Sequence, residues 1–366
     1  MLKFVEDNSL QIEQEVVKAY ETATNRTLQP ADPERLLLNA IVYLLTLLKN
    51  DINQTANQNL LAYATGEALD KLGELVGVYR LPATPAKTTL RFYTDSPKTF
   101  DIVIPQNTKA TPDQKIFFKT VSEAVIPAGQ TYVDVEAICE TEGTIGNGFL
   151  AGQINMLSTP IPYIVKVENI TISMYGTDTE SDEHLRERIR LAPESFSNAG
   201  SKGAYIFHTK SAHQDIADVS VFSPQAGVVK VVFILKDGNL PNADLIASVE
   251  NHLNDEKIRP LTDNVIVSAP QVVNYDIDLT YYVLKDYQPL VSQIKEQVNK
   301  AVNEYILWQK TKIGRDILPE ELISRLKSIK GVYRVEIRQP VYTALNEEQI
   351  AIAQNINIQY GGIVDA

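Results

Sequence analysis

The chain has 366 residues, enough for two or three domains at the usual size of about 150 residues each. Its 44% hydrophobic and 22% charged residues are the composition of a packed globular protein, which excludes disordered, collagen-like and disulfide-scaffold classes. The net charge is -12, and acids outnumber bases in 1–80, in 81–175 and in 176–366 alike. No basic cluster is therefore on offer to a nucleic acid or an anionic membrane, and neither is expected as a partner.

The single cysteine, Cys139, excludes an intrachain disulfide and a cysteine zinc cage, as expected of a protein matured in a reducing cytoplasm. It shares the parity of Val133, Val135 and Ala137 in an alternating stretch, which reads as a buried structural thiol. Met1 to Leu10 carries Glu6 and Asp7 where a signal peptide needs an apolar run, so no export signal is expected. The most apolar segment, Leu36 to Leu48, has 13 residues interrupted by Asn39 and Thr46. That is short of the roughly 20 residues needed to span a bilayer.

The first 80 residues read as a helical arm. Ser9 is the expected cap of a first helix with Leu10, Val16, Val17 and Tyr20 on one side, and the pattern breaks from Thr22 to Gln29. Asp32-Pro33 then signals a second helix running to about Tyr63, because proline at the first helical position loses no needed N–H. Its first half, including Leu37, Ile41, Leu44, Leu45 and Leu48, is apolar nearly all round, and its second half is polar. Such a surface needs neighbours on every side, from an internal three-helix subdomain or from another chain. Thr65 starts a short helix with Ala68, Leu69, Leu72 and Leu75 inward, ended by Gly77.

After Leu81-Pro82-Ala83-Thr84-Pro85 the period changes from 3.6 to 2. Strands are expected at 89–94, 100–104, 115–120 and 131–139, with a returning strand at 164–173. They imply a small antiparallel β-sandwich or barrel over 86–175. Beyond Gly176, Ser181 caps an acid-rich helix start, and a helix is expected from Ala204 to His213. Two strand–helix–strand units follow. The first runs Val228–Leu235, Ala243–Glu256, Asn264–Ser268. The second runs Tyr275–Leu284, Leu290–Gln309, Pro319–Ser328, Val332–Arg338. The fold class is thus a multidomain α+β protein: a helical arm (1–80), the β module (86–175), an α+β domain (176–268) and a C-terminal α+β domain (269–366) with helices on one sheet face. Tyr281, Tyr282 and Val283 on the other face are candidates for covering a neighbouring subunit, against the alternative of an ordinary core.

Catalytic signatures are missing where they would be conspicuous. The sequence has no Walker A loop, G-x-G-x-x-G, H-E-x-x-H or G-x-S-x-G. His184, His208, His213 and His252 are scattered, so no metal site is expected from them. Asp178 to Glu183 starts like a calcium loop but has Glu183 where the loop needs glycine and Ile189 where it needs a bidentate glutamate. It reads as a capped helix start. Gly143 to Gly148 bends the backbone as a turn or cradles an anion, and the turn is the ordinary reading. No cofactor, metal, small-molecule substrate or catalytic residue is assigned.

Three stretches resemble the baseplate J-like family, wedge proteins of contractile phage tails, tailocins and related contractile injection systems. They are Gly66 to Arg80; Ile104 to Ala110 with Phe118-Lys119-Thr120, Pro127-Ala128-Gly129-Gln130 and Gly146-Asn147; and Gly176 to Ile189 with Gly200-Ser201 and Ala204-Tyr205. Arg259 to Asp263 extends the likeness. In the family a second glycine often precedes the Thr-Asp-Thr-Glu string, where this chain has Tyr175. The resemblance implies a non-enzymatic wedge subunit of a virion or phage-like particle baseplate, assembled in the bacterial cytoplasm. It further implies that a second copy of the chain and a smaller wedge protein share a helical bundle. C-terminal domains would join wedges around the hub beside the sheath initiator and pass the contraction signal to the sheath. The competing readings are a tail-associated cell-wall hydrolase and a host-receptor binder using residues 86–175.

Overall fold

The computed structural model describes residues 1–195, 200–255, 258–260 and 262–365. The expected end of one helix at Glu256, Leu261 of the family-like stretch and the terminal Ala366 lie outside the described residues. The chain divides into two units, Met1–Arg80 with Ser181–Arg190, and Leu81–Glu180 with Leu191–Ala366.

The first unit is helical. Helix α1 (Ser9–Thr24) is capped by Asn8, whose side chain accepts from Leu10 N; Ser9, the expected cap, is its first residue. Of the face expected inward, Val17 is buried, but Ile12 takes the place of Leu10, which is exposed. Helix α2 (Pro33–Asn57) begins with Pro33 as expected and ends at Asn57, short of Tyr63. Val17, Leu28 and Leu38 form the core between α1 and α2. The polar half of α2 binds backbone. Asn53 and Asn57, one turn apart, exchange amide hydrogen bonds with Val5 and Leu2 and so hold the N-terminal segment extended. Helix α3 (Gly66–Glu74) buries Leu69, whereas Leu75 points outward, contrary to expectation. Gly77 takes the left-handed conformation (φ 72°) expected of a helix stop, and Val78 N bonds back to Gly73 O at 2.9 Å. Helix α4 (Asp182–Ser195) begins in this unit, with Ser181 Oγ accepting from His184 N.

In the second unit, strands β1 (Pro85–Thr94), β2 (Ile102–Ile104), β3 (Lys109–Thr111), β4 (Phe118–Thr120), β5 (Ala124–Ile126), β6 (Tyr132–Glu142), β7 (Met156–Leu157) and β8 (Ile164–Asn169) build the β module. Six of them form an antiparallel sheet in the order β7-β3-β4-β6-β1-β8, whose ends approach to nearly close a barrel, and β2 pairs with β5. The short strands β3, β5 and β7 give too few residues for a sequence period to be visible. Val135, Ala137 and Cys139 alternate inward with Leu90, Phe92 and Phe118, so Cys139 is buried as its parity implied.

Helix α5 (Lys202–Ala212), capped by Ser201, precedes strands β9 (Ile216–Gln225) and β10 (Val228–Leu235), helix α6 (Ala243–Leu253) and strand β11 (Asn264–Ser268). β10 and β11 are parallel, so the first strand–helix–strand unit is a true βαβ; β9, not foreseen, adds antiparallel to β10. The continuous apolar run of β10 is that of a strand covered on both faces. Val231 and Phe233 face α5 and α6, and Val232 and Ile234 pack with Ile313 and Ile350.

Strand β12 (Gln271–Leu284), helices α7 (Val291–Lys310) and α8 (Pro319–Lys327), and strands β13 (Val332–Gln339) and β14 (Gln349–Val364) complete the chain. The sheet order is β13-β12-β14. The second expected unit keeps its order, but β12 and β13 are antiparallel; the parallel partner of β12 is β14, a strand beyond the expected unit. Tyr275, Ile277, Leu279, Tyr281 and Val283 on one face of β12 pack with Ile294, Val298 and Tyr305 of α7 and Leu322 and Leu326 of α8.

Candidate assembly surfaces

The apolar half of α2 stays largely uncovered. Only Leu38 and Val42 of that half are buried, while Leu37 is 65% and Leu44 63% exposed, Ile41 and Leu48 are exposed, and Leu45 is half-buried. Leu37, Ile41, Leu44 and Leu48 follow the alternating four- and three-residue spacing of a helix-packing seam, flanked by exposed Leu36, Tyr43 and Leu47. A contiguous apolar strip of this length is a candidate interaction surface. At 25 residues α2 is also long and apolar enough to cross a bilayer, by length and composition only, which counting Leu36 to Leu48 alone did not reveal. Its second half is made for water or protein instead. Lys49, Asn50 and Asp51 interrupt it, and Asn53 and Asn57 spend their amides on the N-terminal segment.

The C-terminal sheet corrects the expectation for its tyrosines. Tyr281 is 1% exposed within this chain's own core, and Val283 lies beside it, so neither presents a surface. Tyr282 alone turns to the other face, half-buried, with Arg334 stacked 4.2 Å above its ring. That face is polar. Arg338 forks onto Asp278 with two bonds of 2.6 Å and reaches Thr280; Asn357 donates to Asp278, Asn355 to Asp276, and Tyr282 to Glu336. With α7 and α8 filling one side, the sheet needs no second apolar face. The Arg338 guanidinium holds the Asp278 carboxyl below its ordinary value.

The family-like string around Gly176 is consumed by local structure. Asp178 accepts from Thr144 N at 2.9 Å, so this chain's own carboxylate occupies the glycine-rich turn that had suggested an anion cradle. Glu180 accepts from Leu81 N at 2.8 Å. In the helical unit Asp182 accepts from Gly66 N and Arg80, and Arg186 donates to the carbonyls of Leu61 and Ala64. Arg188 reaches Tyr79 O.

Two histidines that are 44 positions apart in the sequence meet: the His208 and His252 rings lie 6.3 Å apart between α5 and α6. Burial, and then His252, pushes the His208 imidazole down to about 4. Among the described residues no three His, Cys, Asp or Glu side chains gather to hold a metal ion. An open cleft of about 540 Å³ is lined by both signs of charge, Lys202 and Lys312 against Asp218 and Glu347.

Residues 31–87 match the Baseplate J-like N-terminal domain, 89–176 the barrel domain, 197–269 the central domain and 257–359 the C-terminal domain. The chain is 34% identical over 201 residues to baseplate protein J of Escherichia phage P2, covering 54% of this chain and 65% of that protein, under two thirds of its length. It is 25% identical over 288 residues to the phage-like element PBSX protein XkdT of Bacillus subtilis, covering 75% and 72%. A cryo-EM structure of the anti-feeding prophage baseplate, six-fold symmetrised, shares the fold with a TM-score of 0.50 at 12% identity, over 94% of this chain and 90% of that one. With four domain matches in the family's order along residues 31–359, the chain belongs to the baseplate J-like family.

Proposed function

We propose that this chain is a structural wedge subunit of a contractile baseplate, joined to a second copy and a smaller wedge protein through a shared helical bundle. The observation that carries the reading is the uncovered seam Leu37, Ile41, Leu44, Leu48 on α2. Burying such a strip recovers about 25 cal/mol per Å² of apolar area, so helices of partner chains are its natural cover. Leu45, half-buried, sits where α1 and a partner helix would both reach it. Tyr282 and the polar sheet face offer contacts of the other kind, specific and separable, suited to a ring whose packing is exchanged when the sheath is released.

The test charges the seam without touching the core. Leu37→Asp with Leu44→Asp, in the full chain, should leave circular dichroism and thermal unfolding unchanged while abolishing complete baseplates in electron micrographs of assembled particles. Normal numbers of complete baseplates would refute the bundle. Release of soluble fragments from peptidoglycan by the purified chain would favour the hydrolase reading instead.

A further inference from the structure

Arg91, Arg325 and Arg338 each bind a carboxylate of their own chain, Asp134, Glu321 and Asp278. Arg315 binds none. Its guanidinium stacks on Trp308, 4.0 Å from the ring centroid, and one of its N–H groups donates to Trp308 O near the end of α7. Among the described residues nothing else bonds to that guanidinium. The acids that act on it, Asp218 and Glu321, and its chain neighbour Asp316 are engaged elsewhere. Asp218 Oδ2 accepts from Ile313 N at 2.9 Å, Asp316 Oδ1 from Leu345 N at 2.8 Å, and Glu321 holds Arg325 at 2.8 Å. Burial lowers the Arg315 guanidinium below its ordinary value and Asp218 only partly opposes this, whereas Asp278 raises Arg338. A half-buried guanidinium without a counter-ion is costly, and the cost is removed by a carboxylate from outside the chain.

The geometry around Arg315 is fixed. Gln309, fully buried, donates to Arg315 O at 2.8 Å and to Asp316 O at 3.2 Å. Gly314 is left-handed (φ 69°) and turns the chain so that Arg315 comes back over Trp308. A side chain held in this way loses little freedom on binding. Its surroundings in the sequence are of one sign. Tyr305 to Arg315 carries Lys310, Lys312 and Arg315 and no Asp or Glu, in a chain whose net charge is -12. Among the described residues none of these three cations is in an ion pair, and Lys312 is exposed. The planar fork of an arginine fits a carboxylate with two bonds, and a neighbouring lysine adds a point charge for the next acid. Three cations in a chain this acidic are too few for a phosphate backbone. We propose that the turn between α7 and α8 is a docking site for an acidic segment of a partner protein, with one Asp or Glu of that segment forked onto Arg315 over Trp308 and a second meeting Lys312.

Trp308 is the chain's single tryptophan, so its emission reports on this turn alone. The full chain is titrated at fixed ionic strength with a glutamate oligomer, with a serine oligomer of equal length and with inorganic phosphate. The glutamate oligomer is expected to change the emission saturably, and the other two are not. Arg315→Lys keeps the charge but loses the fork, and should weaken the oligomer about tenfold or more. Lys312→Ala should weaken it about two- to threefold. Because Lys312 is exposed and unpaired among the described residues, that variant leaves the fold as it is. No saturable response, undiminished binding in either variant, or phosphate binding as tightly as the oligomer would overturn the proposal. So would self-association that Arg315→Lys abolishes, because the site would then belong to a second copy. None of these readouts involves α2, so the failure of this site and the failure of the bundle are distinguishable.

Discussion

Arg80 and Asp182 stand 102 residues apart in the sequence and meet at 2.7 Å. The same carboxylate accepts from Gly66 N at 3.0 Å, and Arg80 also holds Asp70 at 2.7 Å. Two of the stretches that carry the family resemblance therefore close on each other inside the helical unit.

Removing one partner should weaken this closure. Arg80→Met or Asp182→Asn is expected to destabilise the helical unit by about 1–2 kcal/mol, the worth of hydrogen bonds to a partly desolvated charge. The double variant should lose less than the sum, which urea unfolding in a double-mutant cycle measures. Burial would raise the Asp182 carboxyl, but the Gly66 N–H and the Arg80 guanidinium outweigh it and hold the group below its ordinary 3.8. Its contribution is therefore present above the unfolded value and lost as the pH falls through the lowered folded value. Asp182→Asn should blunt acid unfolding of this unit.

Tyr175 occupies a left-handed conformation (φ 75°), and its hydroxyl donates to Asp244 at 3.0 Å. Tyr175→Gly relieves about 1 kcal/mol of strain and loses about as much in that bond, so melting should shift little. Tyr175→Val should cost about 2 kcal/mol, because a β-branched residue resists this region. Gly176 has no such latitude: an added Cβ would stand 2.3 Å from Gly143 O, and Gly176→Ala should cost about 1–3 kcal/mol.

The His208 and His252 pair makes α5 and α6 sensitive to acid. Unfolded, His208 binds its proton near 6.5; folded, burial and then His252 delay this to about 4. Burial also lowers His252, against the opposing pull of Asp255. Protonation in that window favours the unfolded chain, so the stability is fully present above 6.5 and is lost as the pH falls toward 4. Protection factors of the amides in α5 and α6, which correct for the slower intrinsic exchange in acid, should fall on acidification, and His208→Phe should flatten the dependence.

The two sides of α2 should respond oppositely to truncation. Leu38→Ala removes a buried side chain and should cost about 2–3 kcal/mol in the isolated chain, whereas Leu37→Ala should change its unfolding by less than about 0.5 kcal/mol. Calorimetry on the purified chain checks both values.

Several features were determined by residue order alone, because they depend on neighbours a few positions away. The alternation through Cys139 set its buried face, Pro33 opened α2, Gly77 closed the turn after α3, and the leucines from Leu36 to Leu48 outnumbered the positions one flank of a helix can bury. Tyr281 and Tyr282, expected together on the free face, must instead lie on opposite faces of β12 by strand parity. Parity carried no information on which face α7 and α8 would cover, and that choice buried Tyr281 and left Tyr282 among charges. Strand partners were likewise beyond it: a period of two assigns faces, while hydrogen-bond partners follow from chain reversal, so β12 met β13 antiparallel and took its parallel neighbour from β14. The meetings of Arg80 with Asp182 and of His208 with His252 were decided only by the tertiary structure, because they join side chains whose separation along the chain has no period to betray it.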